Sequence, residues 1–419
     1  MKRLLKHMGM GISIGLAANF AVNADQPAEL IQAWNNEYLN AIRLDSSAPA
    51  IASKKMAILH IAMFEAANSL DPHYESYLEL VHGPEGLNPT VAAIGAAYRV
   101  GEIVYPGYGG KFRILRDRQL RSLGAFHKNS LKYGYSIADQ IIQQRSNDGS
   151  SRSITYIPRN EIGVWKRTPP RFRPPETAQW VNVQPFCIVG PAEKWISGPP
   201  QLSSEAYAFA WKQVKDLGDK NSVTRTHDQT EIAQFWACFT YTATPAGHWN
   251  EIACNLLVEK GTALLESLRL LTLMNLALAD AGIVAWRVKY DQHFWRPIYA
   301  IRMADEDENS ATYSDPNWES LLEAPPHPEY VSGHSTYTGA GAEVLRLFLG
   351  KDAIPFSATS DSLPGVTRHF GSISACEQEI GMSRIYGGIH FIFSNLDGLE
   401  LGHQIGEKVY QNYLRPLKE

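Results

Sequence analysis

The chain has 419 residues, of which 44% are hydrophobic and 20% are charged, so it can bury a large core and does not belong to the fibrous or disordered classes. Its formal net charge of -4 at pH 7 argues against nucleic acid or an anionic membrane as the main partner, because both need a surplus of Lys and Arg. Any basic binding site in this chain must therefore be local.

The first 24 residues have the pattern of a secretory signal peptide. Basic residues precede an apolar run from Met8 to Val22, and the tripeptide ending at Ala24 has the small-residue spacing of a cleavage site. We expect cleavage after Ala24 and a periplasmic or secreted mature chain, with a retained membrane anchor as the alternative. No other stretch is expected to be apolar enough to span a bilayer, so we expect no stable membrane insertion of the mature chain.

Helical periodicity dominates the next part of the chain. Apolar residues recur at three- and four-residue intervals in 28–44 and 53–70, and further helices are predicted at 90–103, 111–123 and 131–145. From about 150 to 202 the chain is rich in Pro and aromatic residues. This composition predicts a long ordered crossover wrapped on the surface, with Trp165 and Trp180 among the side chains that it can bury.

Helices resume in the second half of the chain. They are predicted to begin at about 204, at the capping-box pattern of 226–229, and across the Ala- and Leu-rich segment 262–288. Neither a long alternating strand pattern nor an internal repeat is present. We therefore predict an all-α fold of two packed helical bundles. The predicted division is a leader (1–24), an N-terminal helical region with the crossover (25–202) and a C-terminal helical domain with the functional site (203–419).

The four cysteines do not have the spacing of a metal site. Cys187, Cys238, Cys254 and Cys376 are far apart in the sequence. In an oxidising compartment they could form up to two disulfides, and buried free thiols are equally compatible with the pattern.

Lys289 and Arg296 belong to the first of three segments whose side chains could form a binding or catalytic site. They are seven residues apart and would share one face of a continuous helix, beside Trp286 and Trp295. The alternative is a solvated charged stripe whose aliphatic stems cover apolar surface.

The second segment is Ser332-Gly333-His334, which follows a Pro-rich stretch and precedes a helix predicted at 335–349. Free backbone amides and the helix dipole favour an anion at such an N-terminus. Simple helix capping is the alternative for this segment alone.

The third segment contains Arg384 and His390. Arginine offers a forked donor that suits an oxyanion, and histidine offers a neutral nitrogen that can bond to phosphorus or to a metal centre. A lone His in apolar surroundings is more often a core residue.

In order and spacing, the three segments together resemble the signature of the superfamily of type 2 phosphatidic acid phosphatases and vanadium haloperoxidases. Segments 144–149, 163–165, 185–186 and 247–250, together with Trp180, are similar to the bacterial vanadium chloroperoxidase-like branch. The resemblance covers nearly the whole mature chain, and it implies an all-α bundle fold and a vanadate cofactor.

The resemblance also implies a role for each site residue. The oxygens of vanadate would be bound by Lys289, Arg296, Ser332, the amide of Gly333, and Arg384. His390 would supply the axial nitrogen to vanadium, and His334 would be the acid–base residue on the opposite side. The cations offset the charge of the oxyanion, while the neutral donors orient it.

Two positions depart from the family pattern. Val331 stands where Pro usually precedes Ser-Gly-His, and Ser394 stands where an Asp often orients the last His. A metal-bound His needs an acceptor on its other nitrogen, so we expect Asp397 or a backbone carbonyl to accept from the ring of His390.

His327 is the residue expected to tune the halide preference. At the matching position the chloroperoxidases carry Phe and the bromoperoxidases carry His, so the resemblance places His327 in the pocket with Trp286 and favours bromide or iodide over chloride. A surface-loop His between two prolines is the alternative.

The predicted function is the oxidation of a halide by hydrogen peroxide, with a small organic molecule as the acceptor of the oxidised halogen. Vanadium would act as a Lewis acid without changing its oxidation state. The alternatives are a periplasmic acid phosphatase without vanadate and a silent helical protein that only binds an anion. The phosphatase would use a phosphohistidine at His390 and protonation of the leaving group by His334.

Overall fold

The computed structural model describes residues 27–124, 128–157, 159–239 and 241–418, so the predicted leader lies outside the described residues. The described chain is built from helices and one short hairpin, which confirms the predicted all-α class. The N-terminal helices are α1 (Pro27–Asp45), α2 (Pro49–Asn68), α3 (Pro89–Val104), α4 (Gly109–Ser122) and α5 (Lys128–Gln144). They lie close to the predicted ranges.

The second set of helices follows the crossover. These are α6 (Glu205–Gly218), α7 (His227–Phe235), α8 (Thr244–Glu259), α9 (Leu264–Gln292), α10 (Pro297–Arg302), α11 (Gly333–Leu349), α12 (Ile373–Tyr386) and α13 (Ile392–Asn412). The predicted capping box is confirmed at the start of α7, where the side chain of Thr226 accepts from the amide of Gln229 and that of Gln229 accepts from the amide of Thr226. Between α11 and α12, β1 (Phe356–Thr359) and β2 (Thr367–Phe370) form an antiparallel hairpin.

In its described residues, the crossover between α5 and α6 contains only short 3₁₀ turns, but it is firmly attached to the helices. Trp165 and Trp180 are 0% and 2% exposed. The carboxylate of Asp280 on α9 accepts from three successive backbone amides, those of residues 186–188, at 2.6 to 2.8 Å. The prediction of an ordered crossover is therefore confirmed, and a single buried carboxylate fixes its middle part.

Helix α9 lies at the centre of the molecule and packs against α2, α11 and α13. Its 29 residues have a window of mean hydropathy 1.6, so it is long and apolar enough to cross a membrane. The whole of that window is buried inside the protein, as in the core helix of a globular fold. The sequence-based expectation that no stretch after the leader has the length and apolarity of a membrane span is wrong for α9.

Helices α11 and α13 approach each other at backbone distance because glycines face the contact. A Cβ placed on Gly402 would lie 2.4 Å from the carbonyl oxygen of Thr336, and one on Gly339 would lie 2.3 Å from that of Leu399. Gly398 and Gly406 repeat this close contact one turn before and one turn after Gly402. The glycines thus hold the N-terminus of α11 against the start of α13, where two of the predicted site segments meet.

All four cysteines are free thiols.

Candidate active site

One cavity brings together residues from all three predicted segments. Six of the nine predicted site residues line it: Trp286, His327, Gly333, His334, Arg384 and His390. The other three do not line it: Arg296 lies 3.2 Å from Nε2 of His390 in the cavity wall. Lys289 donates to the loop that leads to Gly333, and Ser332 precedes Gly333 as the N-cap of α11. Residues of all three segments therefore meet at one site in the fold.

Lys289 and Arg296 do not share one continuous helix, which corrects the sequence-based prediction. Helix α9 ends at Gln292, His293 adopts φ 52°, and Arg296 is the N-cap of the next helix, α10. The break is held by the crossover, since the amide of Trp165 donates to the carbonyl of His293 at 2.6 Å and the amide of Trp295 donates to Gly163 at 2.9 Å. The sequence spacing could not show this long-range pairing.

The ammonium group of Lys289 is fully buried under the loop that leads to α11. Its Nζ donates to the carbonyls of Pro328 and Glu329 at 3.2 and 3.0 Å, and also to that of Val331. Burial and the nearby Arg296 lower the pKa of Lys289 well below its ordinary range. The three carbonyl partners are those of an ammonium group, so Lys289 positions the loop backbone and, when protonated, adds positive potential behind Gly333.

Arg296 joins two loops and two imidazole rings. Its Nε donates to the carbonyl of His327 at 3.0 Å, and its Nη1 donates to the carbonyl of Ile389 at 2.8 Å. Nη1 also lies 3.2 Å from Nε2 of His390, and Nη2 lies 2.9 Å from Nδ1 of His327. Burial lowers the pKa of Arg296 to about 9, so the guanidinium still carries its charge at neutral pH.

The N-terminus of α11 points into the cavity. Ser332 is the N-cap and accepts from the amide of Ser335, so Gly333 and His334 are the first two helical residues, and the helix begins two residues before the predicted start at 335. Their amides precede the first intrahelical hydrogen bond and remain available to an anion. Nε2 of His334 is buried and has no hydrogen-bond partner among the described residues. Burial and Arg384 lower the pKa of His334 well below its usual range, so its ring is neutral at pH 7.

Arg384 reaches the same cavity from the last turn of α12. Its Nη1 donates to the carbonyl of Trp236 at 2.8 Å, while its Nε is buried without a partner among the described residues. Burial lowers the pKa of Arg384 to about 10, which leaves it cationic. This unpaired donor is available for an oxyanion.

The ring of His390 is oriented by Glu329. Nδ1 of His390 lies 2.7 Å from Oε1 of Glu329, which also accepts from the amide of Phe391 at 3.1 Å. Burial raises the pKa of Glu329 to about 7, against the opposing effects of Arg296 and Lys289. Asp397, the acceptor expected from the sequence, instead accepts from the hydroxyl of Tyr330 at 2.7 Å, so that expectation is wrong.

Glu329 is the site residue that sequence reasoning missed. It belongs to the lead-in of the second segment, five residues before His334, but the family pattern assigns it no role. The signal that could have found it is the absence of a carboxylate at Ser394, which requires that another acidic residue serve the ring of His390.

His327 lies in the pocket wall rather than on the surface. Its ring centroid is 5.0 Å from that of Trp286, with an interplanar angle of 47°, and its residue is 7% exposed. The outer part of the cavity was not predicted from the sequence. It is lined by Arg171 and Arg173 of the crossover and by the exposed rings of Phe239 and Tyr241.

The residues present fit a tetrahedral oxyanion such as vanadate. Arg384 Nε and His334 Nε2 are buried atoms without partners among the described residues, and the first amides of α11 are beside them. An unpaired buried polar atom is costly, so two of them on one cavity wall indicate that a polar ligand completes the site.

The sequence comparisons identify relatives of this site. A protein-family model described as the VCPO second helical-bundle domain matches residues 269–419. The vanadium chloroperoxidase of Curvularia inaequalis is 23% identical over an alignment that covers 88% of this chain and 80% of that protein. The vanadium-dependent bromoperoxidase of Ascophyllum nodosum is 31% identical over 29% of this chain and 24% of that protein.

Similar solved structures cover nearly the whole chain. The crystal structure of the first bacterial vanadium-dependent iodoperoxidase has a TM-score of 0.81 and 26% identity, over 94% of this chain and 97% of that one. The apo-type bacterial vanadium-dependent chloroperoxidase has a TM-score of 0.70 over 87% of this chain and 94% of that one. At 17% identity this second likeness concerns the fold alone.

Proposed function

From the premise that this chain belongs to the vanadium haloperoxidase superfamily, we propose that it is an enzyme that oxidises iodide or bromide with hydrogen peroxide. A small organic molecule at the mouth of the cavity would accept the oxidised halogen. The observation that carries this proposal is the buried array of Lys289, Arg296 and Arg384 around a cavity where Arg384 Nε and His334 Nε2 lack partners among the described residues.

Vanadate would be held by the residues that surround these two atoms. Its oxygens would be bound by Lys289, Arg296, Ser332, the amide of Gly333, and Arg384, and Nε2 of His390 would bond to vanadium. When bound, vanadate supplies a Lewis acid that polarises peroxide. The cations of the chain offset the negative charge of vanadate, and the positive end of the α11 dipole points towards it.

His334 is suited to proton transfer because its ring is neutral and faces the cavity. Burial and Arg384 lower its pKa, and Nε2 has no competing partner among the described residues. A neutral imidazole can accept a proton from incoming peroxide and return it to the departing oxygen. His390 can act as a ligand rather than as an acid, since its Nδ1 is committed to Glu329.

The preference for iodide or bromide is the finer part of the proposal. It is supported by His327, which stands in the wall beside Trp286 and bonds to Arg296. The relatives include proteins described as iodoperoxidase, bromoperoxidase and chloroperoxidase, so the halide must be determined on this chain.

The assay that tests the proposed function measures two reactions on the same preparation. Halogenation of a phenolic dye with iodide, bromide and chloride, and hydrolysis of a chromogenic phosphate ester, are followed with and without added vanadate. We expect halogenation only with vanadate, and phosphate hydrolysis that vanadate suppresses or that is absent. Phosphate hydrolysis without any halogenation would instead support a phosphohistidine at His390.

The matched control for this assay removes a cation elsewhere on the protein. Arg384→Gln should lower halogenation strongly, because a buried charge-assisted donor to the oxyanion is lost. Arg415→Gln removes a cation whose side chain is 57% exposed and pairs with Glu75, so it should leave halogenation unchanged. Equal losses in the two variants would contradict the site assignment.

We also propose that the mature chain is periplasmic or secreted. The support is the basic and apolar pattern of residues 1–24, which precede the described residues. N-terminal sequencing of the protein from cell fractions tests it, and a chain that starts at Met1 in the cytosol would contradict it.

A further inference from the structure

Glu329 and His390 form a fully buried pair at the back of the cavity. They are 0% and 2% exposed, and Oε1 of Glu329 lies 2.7 Å from Nδ1 of His390. The carboxylate neither lines the cavity nor contacts the space in which an oxyanion would lie. Its contacts with the site therefore pass through the imidazole.

The neighbours of His390 define which nitrogen carries the proton. Nε2 lies 3.2 Å from Nη1 of Arg296, and a guanidinium nitrogen can only donate. Nε2 must therefore present its lone pair, while Nδ1 carries the hydrogen and donates it to Glu329. In this structure that lone pair faces Arg296, and a bond from Nε2 to vanadium would replace this contact.

Glu329 is itself held from several directions. Its amide donates to the carbonyl of Phe294 at 2.8 Å, and its carbonyl accepts from Nζ of Lys289 at 3.0 Å. Its Oε1 accepts a second hydrogen bond, from the amide of Phe391. A carboxylate with a fixed backbone and two donors can hold an imidazole ring in one orientation.

We propose that Glu329 is the positioning residue that fixes the tautomer and the orientation of His390 for its bond to vanadium, an inference that rests on the proposed function. It supplies from the loop before α11 the carboxylate that position 394 lacks, since Ser394 in the first turn of α13 carries only a hydroxyl. A carboxylate on the second nitrogen makes a His ligand more basic and better oriented.

The test separates a positioning role from a simple charge effect. Glu329→Gln removes one negative charge near the anion, which should strengthen the binding of phosphate and of vanadate alike. Only vanadate forms a stable bond to Nε2 of His390. The loss of positioning should therefore weaken the binding of vanadate relative to the binding of phosphate. We expect the ratio of the vanadate Kd to the phosphate Kd, measured by calorimetry on the full chain, to rise by about 10- to 100-fold.

A rescue variant and a conservative variant complete the test. Glu329→Gln combined with Ser394→Asp should return the ratio towards the wild-type value, because a carboxylate again reaches the ring. Glu329→Asp keeps the charge, but its shorter side chain moves the carboxylate away from Nδ1 of His390. It should therefore also raise the ratio of the vanadate Kd to the phosphate Kd. An unchanged ratio in Glu329→Gln, with both anions bound more tightly, would overturn the proposal in favour of a charge effect.

A second readout does not depend on vanadium. ¹⁵N shifts of the His390 ring, recorded without vanadate, should show only Nδ1 protonated in the wild type and a mixture of tautomers in Glu329→Leu, which offers the hydrogen of Nδ1 no acceptor. An unchanged tautomer in the variant would overturn the positioning role. If the wild-type protein binds vanadate no more tightly than phosphate, the proposed function fails, and the ring shifts still decide whether Glu329 positions His390.

Discussion

At the scale of single residues, the site is defined by the donors that the protein leaves unpaired. Most donors of Lys289 and Arg296 are satisfied by backbone carbonyls, whereas Arg384 keeps Nε free among the described residues. Buried cations are stable only when they are paired or face an anion. The array therefore favours a doubly or triply charged oxyanion over a neutral ligand.

His390→Ala should abolish tight retention of vanadate, because the remaining donors can hold the anion only electrostatically. The measurement is vanadium content after dialysis, with His73→Ala as the control, since the side chain of His73 is 60% exposed and does not line the cavity. Vanadium retained by His390→Ala at the wild-type level would refute the coordination assigned to this residue.

His334→Ala should keep vanadate bound but slow turnover by about a hundredfold or more, as is typical when an acid–base group is removed. Vanadium content and kcat with iodide are measured on the same sample. Turnover at the wild-type rate would move the proton-transfer role to another group in the cavity, with His327 as the next candidate.

His327→Phe should raise kcat/KM for chloride relative to bromide, because an apolar ring replaces the polar edge beside Trp286. We expect a change of about tenfold, equivalent to ~1.4 kcal/mol in the activation free energy. The variant also loses the 2.9 Å contact with Nη2 of Arg296, so vanadate content must be measured in parallel. An unchanged halide ratio at full vanadium content would count against the tuning role.

The residues of the three motifs could be predicted from the sequence, because each motif is a local run with its own chemistry. Glu329 could not be assigned in this way. Its partner His390 is 61 residues away, and the hydrogen bond between them exists only after α11, α13 and their loops have packed. The sequence shows what a side chain can donate or accept, whereas the fold determines which partner it meets.

At the scale of the helices, the contact between α11 and α13 depends on glycine. Gly402→Ala should destabilise the protein by about 3 kcal/mol or more, the upper part of the range for overpacking, since its Cβ would meet backbone atoms that cannot move aside. Gly110→Ala, at a helical position with no atom within 4 Å of the added Cβ, should instead stabilise by about 0.4 to 1 kcal/mol. Denaturant unfolding measures both, and equal effects would contradict the packing argument.

The end of α9 shows where periodicity misleads. The helix was predicted over 262–288, and the seven-residue spacing of Lys289 and Arg296 suggested that both lie on one helix face. The helix stops at Gln292 because backbone groups of 163–165 pair with those of 293–295. Helix existence and length follow from local pattern, but this boundary follows from a contact between distant segments.

At the scale of the whole molecule, buried carboxylates make stability depend on pH. Burial raises the pKa of Glu65 from its ordinary value of 4.5 to about 7, although its carboxylate accepts from Ser76 and from the amide of Tyr77. The native state then binds a proton more tightly than the unfolded state. The contribution of Glu65 to stability is therefore fully present below about pH 4.5 and is lost as the pH rises through about 7.

Glu65→Gln should remove this dependence. Relative to the wild type, its free energy of unfolding should rise between pH 4.5 and about 7, by up to about 3 kcal/mol. Urea unfolding at several pH values measures the difference, with Glu319→Gln as the exposed control. A constant difference across this range would mean that Glu65 is already ionised in the native protein at low pH.

The pairing between the crossover and the break after α9 limits how far the protein can be treated as modular. Gly163 and Trp165 belong to the N-terminal half of the chain, yet their backbone groups hold the turn between Lys289 and Arg296. A chimera that takes only the C-terminal helices from a relative would combine that relative's turn after α9 with the crossover of this chain, which did not evolve to hold it. Exchange of pocket properties between such enzymes should therefore succeed only when the crossover is inherited together with the helices that it supports.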